Sequence, residues 1–364
     1  MFDHLPQTDI VHVVQRMAPG GIETLVLDLI RSSAASTRIL SLDGTTEDLL
    51  AAWPALAQFR FEVIGLNRKP GFRPSMVWKL TKALRQLRPR AVFLHHVGPL
   101  LYGTPAARLA GVPRVIHVEH DVWHYHGSRD RMIAQAVERL FRPAHVAVSS
   151  NAANEIRAML PGSDVTVIPN GIDLNKFRPG NQAAARAMFG LGADWKIVGT
   201  AGRLVPVKGH SVLVDAAVHF PENVHVVIAG GGEEDAALKD QAVKRGVSHR
   251  VHFIGHINRV EALLPAFDVF CLPSHSEGFP RCVIEAQSSG LPVVATDVGA
   301  LREALCPHTG RIVSPGNPEA LAANVLDVLA KSPRTSPRNF VAQYYSWDRT
   351  VASYRQMMEV GHAA

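Results

Sequence analysis

The chain has 364 residues, 47% of them hydrophobic, with 38 Lys and Arg against 32 Asp and Glu, a formal net charge of +6. That length and apolar content give one large or two medium packed domains and exclude a disordered or low-complexity protein, while the positive balance points to an anionic partner: nucleic acid, a phosphorylated ligand or an anionic lipid surface. Three cysteines (Cys271, Cys282, Cys306) make no disulfide framework in a chain this long and suit a reducing cytosol, and the opening "MFDHLPQTDIVHVV" shows no basic-then-apolar leader.

Along the chain, short apolar runs read as buried strands: "DIVHVV" (9–14), "AVFLHH" (91–96), "RVIHVE" (114–119), "HVAVSS" (145–150), "KIVGTAG" (196–202), "VHVVIAG" (224–230), "VHFIGH" (251–256), "DVFCLPS" (268–274) and "PVVATD" (292–297). Amphipathic segments lie between them, at 21–32, 75–88, 130–142, 209–219, 233–245 and 319–331. This alternation predicts an α/β protein with parallel sheets covered by helices on both faces. The turn-rich "VIPNGIDLNKFRPG" (167–180) interrupts the pattern near the middle, which predicts two Rossmann-like domains, 1–168 and 169 onward, facing each other across a cleft. No apolar run approaches the roughly 20 residues of a membrane-spanning helix. In such sheets ligands bind beyond the carboxyl ends of the strands, so the loops after strands hold the candidate residues.

The first such loop, "QRMAPGGIE", carries Gly20 and Gly21 between a strand and a helix. Paired glycines let a ligand approach the backbone and leave helix N–H groups open to an anion; they also suit an ordinary flexible turn. In 75–88, Val77, Leu80, Leu84 and Leu87 form a buried stripe, while Trp78, Lys82 and Arg85 share another face. The region 67–90 has basic residues and no acidic ones, so this face fits either an anionic membrane surface or plain solvent. No nucleic-acid motif accompanies the charge, and nucleic acid is not an expected partner. The stretch "RVIHVEHDVWHYH" (114–126) holds His117, His120, His124 and His126 with Glu119 and Asp121. Its spacing is not that of a metal motif, and strand alternation sends its residues to opposite faces, so no metal is expected; one loop histidine lining the cleft is.

Further on, Arg203 and Lys208 follow a strand in "GTAGRLVPVKGH". A planar fork and a movable point charge there suit a pyrophosphate, or are two solvated charges. In "SHSEGFPRCVIEAQSSGLPVVAT" (274–296) a helix is predicted from Pro280 to Ser289, with Gly290 at its C′ position and Pro292 stopping it. Glu277 then lies in the loop before the helix and Glu285 inside it, their carboxylates on the order of 10 Å apart. That is too far for a retaining glycosidase pair, and suits two distant parts of one ligand or two unrelated surface charges.

Taken in order, "GGIE", "VIHVEHD", "VIPNGIDLNKFRP", "GRLVPVKGH", "VVIAGGGEE", "VHFIGHI" and "SEGFPRCVIEAQSSGLPVVATDVGALREAL" resemble the retaining nucleotide-sugar glycosyltransferases of family four, which have the GT-B fold. The last segment matches that family's pair of glutamates separated by seven residues. The resemblance covers nearly the whole chain. It implies a nucleotide-sugar domain over 169–344 and a segment, 345–364, packing back on an acceptor-binding N-terminal domain. It implies that Glu285 binds the donor ribose, that Glu277 contacts the transferred sugar with the backbone of Gly278, Phe279 and Pro280 nearby, and that Arg203 and Lys208 hold the pyrophosphate. Gly20 and Gly21 would approach the donor phosphate, His120 would sit by the sugar, and His256 and Ile257 would line the base pocket. It further implies a UDP- or GDP-sugar donor, a glycan or lipid-linked acceptor in bacterial surface-polysaccharide assembly, no metal or other cofactor, and a cytoplasmic enzyme, peripheral on the membrane. The competing expectations are a nucleotide-sugar 2-epimerase and a non-catalytic sugar-nucleotide-binding scaffold. A dinucleotide-dependent dehydrogenase is disfavoured because no G-x-G-x-x-G follows the first strand.

Overall fold

A computed structural model describes residues 7–33, 35–120, 122, 125, 127–331 and 336–359. Asp121, His124 and His126 of the histidine-rich stretch, residues 1–6 of the opening and residues 360–364 of the C-terminal segment lie outside them.

The chain forms two compact units, Met1–Pro169 with Thr350–Ala364, and Asn170–Arg349. In the first, seven strands pair in parallel: β1 (Ile10–Val14), β2 (Thr37–Ser41), β3 (Val63–Gly65), β4 (Ala91–His95), β5 (Arg114–Glu119), β6 (Ala144–Ala147) and β7 (Val165–Val167), in the spatial order β3-β2-β1-β4-β5-β6-β7. The second holds β8 (Lys196–Ala201), β9 (Val224–Ala229), β10 (Val251–Gly255), β11 (Val269–Leu272), β12 (Val293–Thr296) and β13 (Arg311–Val313), in the order β10-β9-β8-β11-β12-β13. Each unit is Rossmann-like. Strand order reverses between β1 and β4 in one sheet and between β8 and β11 in the other, the positions where open parallel sheets leave a crevice for ligand.

The continuous apolar runs follow from this architecture. All residues of β1, β4, β11 and β12 are buried, because helices cover both faces of the sheet. In the second unit Val198, Leu213, Val226, Ile228, Val269 and Val294 share one core, and each such side chain stabilises the fold by roughly 1.5–3 kcal/mol. Four strands escaped the sequence reading: β2, β3, β7 and β13. Three of them are three-residue edge strands, too short for a recognisable run, and β2 begins with the polar pair Thr37-Arg38.

The helix Ser75–Leu87 buries Met76, Leu80, Thr81, Ala83, Leu84 and Leu87. Val77, expected in that stripe, is only half-buried, since the buried face is centred about one residue away, on Met76 and Ala83. Trp78 is 67% exposed, and Lys82 and Arg85 are exposed as well. The last helix, Trp347–Glu359, contributes to the first unit from Thr350 on. There Thr350 Oγ1 donates to the Pro169 carbonyl at 2.9 Å, and the Tyr354 ring meets Phe93 edge-on at 5.6 Å.

Candidate functional site

In the second unit the loop after β8 is fixed by a glycine. Gly209 has φ +62°, and a Cβ on it would lie 2.2 Å from the Pro273 carbonyl oxygen. Only glycine allows this close approach of the loop to the end of β11. A backbone bond from His275 N to Val207 O, 2.8 Å, ties the same two loops. His210, the next residue, is buried with Nε2 3.3 Å from the Arg203 carbonyl oxygen. Burial pushes its pKa down to about 4, so the ring is neutral at neutral pH.

This loop geometry brings Lys208 to Glu277. Lys208 Nζ lies 2.7 and 2.9 Å from the two carboxylate oxygens, and Ser274 Oγ donates to Oε1 at 2.6 Å. The pair spans the reversal between β8 and β11. The Glu277 loop is held from its far side too. Gly299 has φ +54°, where a Cβ would fall 1.8 Å from the Glu277 carbonyl oxygen, and Ala300 N donates to Gly278 O at 3.1 Å. Thr296 Oγ1 donates to the Ser274 carbonyl at 2.6 Å. The Arg203 guanidinium, in the same loop as Lys208, is exposed and forms no ion pair among the described residues.

The helix that follows runs Arg281–Ser288. Pro280, expected as its first residue, is instead the N-cap, because its ψ of 99° is extended. Gly290 adopts φ +90° just beyond the C-cap Ser289, the C′ position expected for it. Glu285 is half-buried on this helix, between buried Ile284 and Ala286. Phe279 turns its ring inward onto Tyr345, 5.4 Å between centroids, so the side chain is structural and only its backbone can serve a ligand. Burial, reinforced by the Glu277 charge, pushes the Cys282 thiol up to about 12, which leaves it unreactive. Exposed His256 and half-buried Ile257 follow β10, two strands from the reversal; His256 Nε2 is 3.2 Å from Asn258 Oδ1.

In the first unit Gly20 caps the helix Gly21–Arg31 in an extended conformation. A Cβ on Gly20 would crowd only the movable Glu23 carboxylate, with the Ala18 carbonyl at an ordinary 3.8 Å, and one on Gly21 would meet nothing within 4 Å. The fold itself therefore requires neither glycine. His120 lies just past β5, buried, with Nε2 3.0 Å from His95 Nδ1. His117 turns to the opposite face, against His145 at 3.3 Å, and His145 Nε2 reaches Glu138 at 2.8 Å. Among the described residues no group of three His, Cys, Asp or Glu is placed to hold a metal ion.

Sequence reasoning missed Ser274, Gly209, Gly299 and His95 as parts of these sites. Gly209 and Gly299 carried the available signal, each standing in a loop just after a strand. His95 closes an apolar strand and reads as core.

The family profile described as Glycosyltransferase Family 4 matches residues 19–176, and the one described as Glycosyl transferases group 1 matches 181–347. Over 80% of its length the chain is 31% identical to the "Putative glycosyltransferase EpsF" of Bacillus subtilis, of which it covers 79%. The chain belongs to the family 4 glycosyltransferases of the GT-B type. A 199-residue part of this glycosyltransferase, 52% of the chain, is 38% identical to the D-inositol 3-phosphate glycosyltransferase of Mycobacteroides abscessus and covers 45% of it. The crystal structure of Anabaena HepE in complex with UDP superimposes with a TM-score of 0.86 over 96% of this chain and 99% of that one, at 22% identity, a likeness of fold.

Proposed function

We propose that this glycosyltransferase moves a hexosyl group from a nucleotide-diphosphate sugar, a UDP-sugar before a GDP-sugar, to a hydroxyl of a glycan or lipid-linked acceptor in bacterial surface-polysaccharide assembly, with retention of anomeric configuration and without a metal ion. One observation carries the reading: the contact of Lys208 with Glu277 at the reversal between β8 and β11. In a nucleotide sugar the bond that breaks joins the sugar to the β-phosphate. A cation for that phosphate and a carboxylate for the sugar hydroxyls must therefore be neighbours, as these two are. The preference for UDP leans on Anabaena HepE, solved with UDP and with UDP-glucose.

In this mechanism Arg203 and Lys208 stabilise the charge growing on the departing diphosphate. Glu277 and His120 hold the sugar, Glu285 accepts from the ribose hydroxyls, and the backbone at Gly20, Gly21, Gly278, Phe279 and Pro280 approaches the donor. His256 and Ile257 contact the base. The bond from the anomeric carbon to the β-phosphate oxygen breaks as the acceptor oxygen bonds to the same carbon from the same face. The acceptor proton passes to the departing phosphate. The exposed face of Trp78, Lys82 and Arg85 docks on an anionic membrane where a lipid-linked acceptor is presented. No described helix is long and apolar enough to cross a membrane.

The test is a melting-temperature screen against UDP, GDP, ADP and their sugars, since a ligand of the native state raises Tm. Transfer with the best donor is then followed in EDTA, and the product's anomeric configuration is read by NMR. Stabilisation by no nucleotide sugar, an inverted product, or loss of transfer in EDTA would each overturn the corresponding part.

A further inference from the structure

Three buried histidines of the first unit form one hydrogen-bonded chain. His12 Nδ1 lies 3.0 Å from His95 Nε2, and His95 Nδ1 lies 3.0 Å from His120 Nε2. Their exposures are 3%, 0% and 6%. The rings stack in sequence, 5.3 Å between centroids at each step, and Phe93 covers His12 at 5.1 Å.

The sheet register builds this chain. His12 of β1 pairs with Phe93 of β4, and two residues on, His95 shares its face. His95 pairs with Val118 of β5, and two residues beyond Val118 comes His120. The three rings thus climb a diagonal across three neighbouring strands toward the carboxyl edge. His117 is excluded from the chain by parity, lying on the other face.

A neutral imidazole has one N–H and one acceptor nitrogen. Burial, reinforced by the neighbouring rings, holds His95 well below the usual histidine range, and burial alone takes His12 down to about 3. For three neutral rings joined through both nitrogens of His95, only two arrangements satisfy both hydrogen bonds. Either every ring carries its proton on Nδ1, and His120 Nδ1 is a donor, or every ring carries it on Nε2, and His120 Nδ1 is an acceptor. The tautomers of the outermost and innermost rings are therefore coupled through His95.

We propose that His12 and His95 are positioning residues that fix the tautomer and orientation in which His120 meets the sugar hydroxyl. The inference rests on the assignment of His120 above for its catalytic consequence, but the chain itself is testable without any donor.

The experiment uses histidine ring 15N NMR on the full ligand-free chain, with steady-state transfer kinetics and Tm measured alongside. The wild type should show His12, His95 and His120 in the same tautomer. His12→Leu, which touches neither His120 nor donor, should convert the His120 signals to a tautomer mixture, and lower kcat by about tenfold with donor KM little changed; partners that orient a functional histidine have effects of this order. His12→Asn, whose side-chain amide falls near the position of Nδ1, should restore the single His120 tautomer and most of kcat. Mixed tautomers in the wild type, or a His120 spectrum unmoved in His12→Leu, would overturn the proposal. A kcat loss in His12→Leu that tracks lowered Tm and is not rescued in His12→Asn would equally reduce the chain to packing. If His120→Ala transfers sugar normally, it is the assignment of His120 to the sugar that fails, and the NMR result still decides the tautomer chain.

Discussion

Lys208 donates to both carboxylate oxygens of Glu277, although the two residues stand 69 positions apart. The adjacency comes from strand order. β8 and β11 are neighbours only because the chain crosses over between them, and each residue lies in the loop at the carboxyl end of its strand. The backbone of the two loops thus holds a cation and a carboxylate in contact, with Ser274 as the second donor to Glu277.

Lys208→Ala should separate activity from stability. It leaves the Glu277 side chain, 7% exposed, with the hydrogen bond from Ser274, while the lysine side chain is 22% exposed. Solvent access on the lysine side keeps the stability cost to about 1–2 kcal/mol. If Lys208 holds the departing diphosphate as proposed, its loss should lower kcat by about 10²–10³. Urea unfolding and initial rates measure the two quantities, and near-normal transfer by this variant or by Arg203→Ala would remove the pyrophosphate role.

Glu277→Gln should split nucleotide binding from sugar binding. The amide oxygen can still accept from Ser274, but the charge pairing with Lys208 is lost. Binding of UDP alone, which has no sugar, should be unchanged or tighter. KM for the nucleotide sugar should rise and kcat fall by about tenfold or more, the scale expected when a hydrogen bond to a charged group is removed. Calorimetry with UDP and with the UDP-sugar reads the difference; parallel weakening of both would show that Glu277 serves the diphosphate rather than the sugar.

Glu277, Lys208 and Arg203 were legible in the sequence because each follows an apolar run that can only be a buried strand. Their contact was not, since a crossover leaves no local mark on the residues it joins. His12 and His95 were illegible for a related reason. Inside "IVHVV" and "AVFLHH" they look like residues of an apolar strand, and only the register of β1, β4 and β5 aligns them with His120. Gly290 was readable because a helix end makes a local conformational demand, φ +90°, that glycine meets best. The two-unit parallel architecture came from the repetition of strand and helix, which survives the loss of four strands, three of them short edge strands, from the count.

Mild acid should destabilise the native state through its buried histidines, His210, His12 and His95 among them. His210 is pushed down to about 4 and His12 to about 3, both chiefly by burial, against 6.5 in the unfolded chain. As pH falls below 6.5 the unfolded chain takes up these protons and the native state does not. Stability is therefore intact above pH 6.5 and is lost on the way down toward 4 and 3. Each ring accounts for about 1.4 kcal/mol per pH unit in its window, roughly 2 kcal/mol at pH 5. Chemical denaturation at pH 7, 6 and 5 should show this slope, and His210→Asn should lose the His210 share of it, about 1.4 kcal/mol per pH unit. Equal slopes in wild type and variant would exclude His210 as a source.

The face of Trp78, Lys82 and Arg85 predicts salt-sensitive membrane docking. Trp78→Ala combined with Lys82→Glu should abolish cosedimentation with vesicles rich in anionic phospholipid at low salt, since each juxtamembrane basic residue contributes about 1 kcal/mol. Both side chains are exposed, so Tm should stay within the small range of surface substitutions. Wild-type protein that ignores such vesicles at low salt would leave this face a solvated surface.

Two glycines allow a comparison of ligand and fold demands. Gly209→Ala forces a Cβ to within 2.2 Å of a carbonyl oxygen at φ +62°, and should lower Tm markedly, with activity falling in step. Gly21→Ala meets open space at the start of the helix Gly21–Arg31, where alanine is a better helix former than glycine, so Tm should hold or rise slightly. If the backbone at Gly21 approaches the donor phosphate, the added methyl group should nonetheless weaken donor binding, raising KM by about tenfold, about 1.4 kcal/mol of lost contact. Unchanged KM in a Gly21→Ala enzyme of normal stability would mean that the donor does not come close to this turn, and the anion site would then rest on Arg203 and Lys208 alone.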